Sequence, residues 1–175
     1  MPAGQNTEPM VTIRKLDSSE ADRLLGLTLV REYTDATALE LEVELETILP
    51  HIPDYDEFPG RYHPLGAFLV AEVDGQPAGS VGVSSLGDGR CEMNRLWVRP
   101  GYRDLGLGRQ LIRASLQQAA DLGFHGMALE VVPTRVKAVA LYRELGFTDR
   151  DLFHEYEFPM IAMERDLRTL HHDLA

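Results

Sequence analysis

Apolar positions along the chain recur with two periods, and the places where the period changes mark the elements. Residues 11–16 read as a first short strand. Asp17 then stands as a helix cap, with Glu20 three residues on completing a capping box. Leu24, Leu27, Val30 and Arg31 share one face of that helix, which runs to about Tyr33. Asp35 caps a second helix with the inner stripe Leu41, Leu45, Ile48 and Leu49, ended by Pro50. The alternation of Glu40, Glu42, Glu44 and Glu46 with apolar neighbours also suits a strand. Residues 51–66, HIPDYDEFPGRYHPLG, carry neither period and form the one long irregular segment. Residues 67–73 and 78–85 read as a hairpin turned at Asp74-Gly75, and a second turn at 87–89 leads into a strand at 91–98. There Cys91, Met93, Arg95 and Trp97 fall on one face and Glu92, Asn94, Leu96 and Val98 on the other. A helix entered near Leu107 ends at Gly123, and residues 127–132 form a buried strand. Thr134 caps a further helix in which Val136, Val139, Ala140 and Leu141 face inward, closed by Gly146, before strands at 148–153 and 160–166. Hairpins give antiparallel pairs and a strand-helix-strand unit gives a parallel one. The expected architecture is therefore α/β, with a central mixed, mostly antiparallel sheet flanked by helices. One domain spans residues 11–166, between tails at 1–10, disordered, and 167–175, frayed.

The segment 90–111, RCEMNRLWVRPGYRDLGLGRQL, runs from strand through a glycine loop into a helix. A helix N-terminus leaves backbone N–H groups without partners, and glycines there let an anion approach the backbone closely. Two phosphate-binding patterns fail on spacing. The dinucleotide fingerprint needs a third glycine where Leu111 stands, and the mononucleotide loop needs Gly-Lys-Ser/Thr where Gly108 is followed by Arg109-Gln110. The remaining pattern, Arg103-x-x-Gly106-x-Gly108 after a strand ending Leu-Trp-Val-x-Pro, resembles the coenzyme A motif of the GCN5-related N-acetyltransferase (GNAT) family. A second stretch, 138–147, AVALYRELGF, is similar to that family's Ala-x-x-Leu-Tyr-x-x-x-Gly-Phe signature, in the right order and at the right separation.

Composition leaves room for that resemblance. The apolar fraction of 44% and charged fraction of 26% are those of an ordinary globule. No apolar run reaches transmembrane length and no signal-peptide pattern opens the chain, so a cytoplasmic protein is expected. A formal charge of −11 argues against nucleic-acid or anionic-membrane partners and suits a cationic substrate or plain solubility. Arg99, Arg103, Arg109 and Arg113 supply a local basic excess around the loop. One cysteine excludes an intramolecular disulfide and a thiolate metal cluster; Cys91 reads as a small apolar strand residue before it reads as a nucleophile. The glutamates at 40–46 are a solvated face or a substrate attractor. The segment 51–66, with Tyr55, Phe58, Tyr62 and His63 beside Asp54, Asp56 and Glu57, is a substrate lid or a loop that covers the core with its aromatics.

The resemblance implies a GNAT-like acyl-CoA N-acyltransferase fold with acetyl-CoA as cosubstrate and no metal. Cofactor contacts carry over to Leu96, Trp97 and Val98 at the strand end, to Arg103, Asp104, Leu105, Gly106, Leu107, Gly108 and Arg109 in the loop, and to Arg135 and Ala138 at the next helix. Asp104 occupies a position that is often glycine in the family, and Arg135 one that is often asparagine, from which it could reach a CoA phosphate. Tyr142 takes the place of the acid that serves the departing thiolate; a half-buried anchor is the structural alternative. Glu92 takes that of the general base, on one face with Leu96 and Val98; an ion pair with Arg90 or Arg95 is its alternative. His63, Glu130 and Glu72 stand in reserve. The function implied is transfer of an acetyl group to the primary amine of a small molecule. A non-catalytic acyl-CoA sensor and a peptide acetyltransferase are the alternatives, and a homodimer is left open.

Overall fold

Continuous apolar runs at 67–73 and 78–83 are what a strand needs when both its faces are covered. The computed structural model, described over residues 7–170, covers both. Its sheet has seven strands in the order β1-β2-β3-β4-β5-β7-β6. They are β1 (Val11–Lys15), β2 (Ala67–Val73), β3 (Gln76–Gly87), β4 (Arg90–Val98), β5 (Gly126–Val131), β6 (Thr148–Arg150) and β7 (Ile161–Asp166). Only the β4–β5 pair is parallel. Asp74 and Gly75, with φ of 50° and 80°, make the tight turn between β2 and β3.

Helix α3 (Leu107–Asp121) covers one face, where Leu107, Leu111, Ile112 and Leu116 pack on Leu69, Val81, Val83, Cys91 and Met93. Helix α1 (Glu20–Leu41) covers the other, with Leu27, Leu29 and Val30 against Phe68 and Val70. A four-residue α2 (Leu45–Ile48) and the helix α4 (Val136–Glu144) complete the helical set. Among the described residues no helix is long and apolar enough to cross a membrane.

Several boundaries differ from expectation. Ser19, not Asp17, caps α1, its hydroxyl accepting from the Asp22 N–H, while Asp17 accepts from the Ser19 N–H one turn earlier. Leu24 and Arg31, expected on the inner face, are exposed. The helix also runs straight through Asp35, because Thr34, Thr37 and Ala38 continue its buried stripe; the two expected helices are one. Thr134 does not cap α4: Arg135 is the capping residue, and the Thr134 hydroxyl donates to Glu40 on α1. The tail set at 167–175 is corrected at its start, since Leu167 and Leu170 are buried in the α3-side core; 171–175 lie outside the described residues. In the 1–10 tail, Met10 exchanges hydrogen bonds with Asp74, and 1–6 lie outside the described residues.

Candidate active site

The alternation expected across β4 breaks at one residue. Gly82 pairs with Asn94 and Ser80 with Trp97, so Arg95 and Leu96 stand together opposite Val81. Arg95 takes up the irregularity with φ of 52°, left-handed backbone that a bulky residue seldom adopts. Cys91, Met93, Leu96 and Val98 consequently all face α3. Glu92, Asn94, Arg95 and Trp97 face the opposite layer, meeting Arg61, Tyr62, Asp54 and Glu32 in turn. This corrects the shared face of Glu92 with Leu96 and Val98.

Pairing of β4 with β5 stops after Glu92. From there the strands diverge, and backbone groups on the facing edges lose their ladder partners. The opening is a cleft of about 1230 Å³ walled by residues 93–98 of β4, Leu129 to Val131 of β5, the loop 102–109, α4, and Tyr33, Ala36 and Glu40 of α1.

The glycine loop forms one mouth of this cleft. Asp104 and Gly106 both adopt left-handed backbone, at φ of 70° and 73°. Aspartate tolerates that conformation better than most residues, which is how it stands where glycine is usual. Gly106 caps α3, and Gln110 makes the first return bond to it. Among the described residues, the N–H groups of Leu107, Gly108 and Arg109 have no backbone acceptor. A Cβ at Gly106 would meet nothing within 4 Å, and one at Gly108 only Leu141, so an anion can lie on this turn. Leu107 turns its side chain into the core, and Leu105 is exposed.

Half of the expected basic excess, Arg99 and Arg109 of the four arginines, is spent on ion pairs within the protein. Arg99 pairs with Glu32, Arg109 with Glu144, and Arg135 with Glu40 at 2.8 Å. Arg135 also donates to Thr37 and stands over the Tyr33 ring, so α1 holds it in the cleft wall. Arg103 is different: it stacks on Trp97, donates to the Val98 carbonyl, and has no carboxylate partner among the described residues. Lys137 also lines the cleft, with no carboxylate partner among the described residues.

The family's sequence model, described as the acetyltransferase (GNAT) family, matches residues 29–147. The chain belongs to the GNAT acetyltransferase family. An uncharacterized N-acetyltransferase of Schizosaccharomyces pombe is 33% identical over 141 residues, covering 78% of this chain and 83% of the relative. A thialysine N-epsilon-acetyltransferase of Sus scrofa is 27% identical over 169 residues, covering 88% and 96%. The PaiA N-acetyltransferase of Thermoplasma acidophilum, solved in complex with coenzyme A, has the same fold, with a TM-score of 0.70 at 20% identity over 90% of this chain and 99% of that one. The family's activity is acetyl-CoA-dependent acetylation, and the glycine loop and diverging strands are the features here that suit a CoA.

Within this GNAT scaffold the other expected residues divide. Tyr142 and Ala138 line the cleft from α4. Burial, together with Tyr33 nearby, raises the Tyr142 phenol above its ordinary pKa against the opposing pull of Arg135. Glu92 is buried behind β4, outside the cleft wall, and accepts from Arg61 at 3.0 Å rather than from Arg90 or Arg95. Its other oxygen has no partner among the described residues. Among the described residues no fully enclosed side-chain oxygen or nitrogen lacks one, so this oxygen is not fully enclosed.

Glu130, held in reserve, is in the cleft wall but saturated. It accepts from the N–H groups of Phe153 and His154, from the His154 ring and from the Tyr156 hydroxyl. The Glu92, Glu130 and His154 polar atoms lie within 4.8 Å of one another. His63 and Glu72 are not in this wall. The segment 51–66 covers the core with its aromatics, Phe58 and Tyr62 packing edge to face on Phe68, and none of its residues lines the cleft. Asp54 reaches under β4, and His51 stacks on Tyr156 and Phe158 beside Glu130.

Proposed function

We propose that this chain transfers an acetyl group from acetyl-CoA to the primary amine of a small molecule, by direct attack within a ternary complex. The observation that carries the reading is the cleft between β4 and β5, open to the anion-accepting loop at one end and to a polar end with Tyr33, Asn94, Arg95, Glu130 and Tyr142 at the other. Its volume exceeds that of a usual small-ligand pocket, which fits an elongated cosubstrate together with a small acceptor.

The backbone N–H groups of Leu107, Gly108 and Arg109 hold the pyrophosphate, with Arg103 and Lys137 adding charge. The unpaired edge of β4 at Leu96 to Val98 hydrogen-bonds the pantetheine arm and polarises the thioester carbonyl. Tyr142, kept neutral by burial, donates its phenolic proton to the departing thiolate. The amine must lose a proton before it attacks. Glu92 takes that proton through water, since its free oxygen is open whereas every acceptor position of Glu130 is filled. Glu130 instead holds the β6–β7 connection, with Tyr156, at the acceptor end.

Calorimetric titration with acetyl-CoA, CoA and ATP, followed by thiol release with a panel of amines, tests the reading. Selective binding of the CoA species with turnover of small amines supports it. Binding without turnover makes the chain a sensor, and equal binding of ATP overturns the assignment of the loop.

A further inference from the structure

The acceptor end of the cleft holds a cation that the transfer chemistry leaves unused. Arg95 is only 6% exposed. Its guanidinium donates through Nε at 3.0 Å and Nη2 at 2.6 Å to the two oxygens of Asp54, with Nη2 also 3.5 Å from the His51 carbonyl. Its carbon lies 5.6 Å from the centre of the Tyr33 ring. Nη1 makes no hydrogen bond among the described residues. Because no fully enclosed polar side-chain atom among the described residues lacks a partner, Nη1 is not fully enclosed, and Arg95 lines the cleft. The bulge is what directs this side chain away from the α3 core.

We infer that Arg95 is an anchor for a carboxylate carried by the acceptor, so that the preferred substrates are amines of the amino-acid class rather than simple amines or polyamines. This rests on the transferase reading above and narrows it. A guanidinium fixed along its Nε–Nη2 edge by Asp54 presents Nη1 without rearrangement, and hydrogen bonds between charged groups are the strong ones. Tyr33 and Tyr142 flank the same space, and their hydroxyls complete a polar rim around such a group.

The test compares matched acceptors that differ only in the carboxylate: L-methionine with 3-(methylthio)propylamine, L-phenylalanine with 2-phenylethylamine, and L-lysine with cadaverine. The expected result is kcat/KM higher for the carboxylate member of at least one pair by about tenfold or more. Arg95→Gln, and the double change Arg95→Met with Asp54→Asn that removes both buried charges, should abolish the preference while leaving the KM for acetyl-CoA unchanged. Equal or better turnover of the decarboxylated amines by the unchanged protein overturns the anchor and leaves the transferase reading standing. Acetyl-CoA binding without turnover of either member of any pair overturns both.

Discussion

Asp54 is the residue whose removal most directly tests how the site is held. It is 1% exposed and accepts from Arg95 at 2.6 and 3.0 Å and from the Tyr62 hydroxyl at 2.7 Å, with Arg61 at 3.9 Å. Burial alone would raise its pKa, but Arg95, Tyr62 and Arg61 hold the carboxyl below its ordinary value. Asp54→Asn keeps the shape and removes the charge, leaving Arg95 buried against a neutral amide. Breaking a buried pair on one side costs about 3–5 kcal/mol. For a domain of this size that is a fall in Tm of roughly 6–20 °C, read by calorimetry or circular dichroism.

The double variant Arg95→Met with Asp54→Asn should be more stable than Asp54→Asn alone, because no unpaired charge remains. A pH series gives a second readout. A depressed folded pKa contributes stability that is fully present above the ordinary carboxylate value and is lost as pH falls through the depressed one. The unchanged protein should therefore lose stability on the acid side more steeply than Asp54→Asn does. A single-variant loss below about 1 kcal/mol, or a double variant no better than the single, would refute the reasoning, placing this pair with the surface pairs that contribute little.

Three further outcomes follow from the same geometry. Tyr142→Phe should lower kcat by about 10²-fold or more with little change in the KM for acetyl-CoA, and steady-state kinetics decide it; an unchanged kcat removes the phenol from the reaction. Glu92→Gln should lower kcat and flatten the acidic limb of the pH–rate profile, and survival of that limb means another group deprotonates the amine. Gly108→Ala should leave stability unchanged or raise it by up to about 1 kcal/mol, read as Tm, since it sits in a helix with only Leu141 near. Its methyl group should nonetheless raise the KM for acetyl-CoA, whereas a normal KM would place the pyrophosphate elsewhere.

How much of this was legible in the sequence depends on the range of the interaction that decides each feature. The Asp74-Gly75 turn, the strand before the glycine loop and the helix after it are set by residues a few positions apart, and these stood where expected. The end of α1 was misjudged because Asp35 is a fair cap locally, and only the burial of Thr34 and Ala38 against the rest of the fold carries the helix past it. Arg95 and Asp54 were invisible as a pair across 41 positions, one in a strand and one in a loop with no motif around it. Glu130 could be held only in reserve, because its partners at 153–156 arrive from the β6–β7 connection, of which only Phe153 was read as strand. Tyr33 was placed only as a helix end, yet it stands between Arg95 and Arg135 in the cleft wall.

The bulge itself is the instructive case, since no glycine announces it. In a regular β4, Arg95 would follow Met93 into the layer under α3, among the apolar side chains of Leu111, Ile112 and Leu116. An unpaired guanidinium there would cost several kcal/mol even after relaxation. A left-handed arginine costs about 1–3 kcal/mol. The smaller penalty is the one the chain accepts, and it sends Arg95 to Asp54 while returning Leu96 and Val98 to the apolar face. The same displacement lies along the stretch of β4 that no longer pairs with β5. The residue that makes the strand irregular is thereby the one whose free N–H groups face the cleft, so fold and acceptor preference trace to a single choice between two energies.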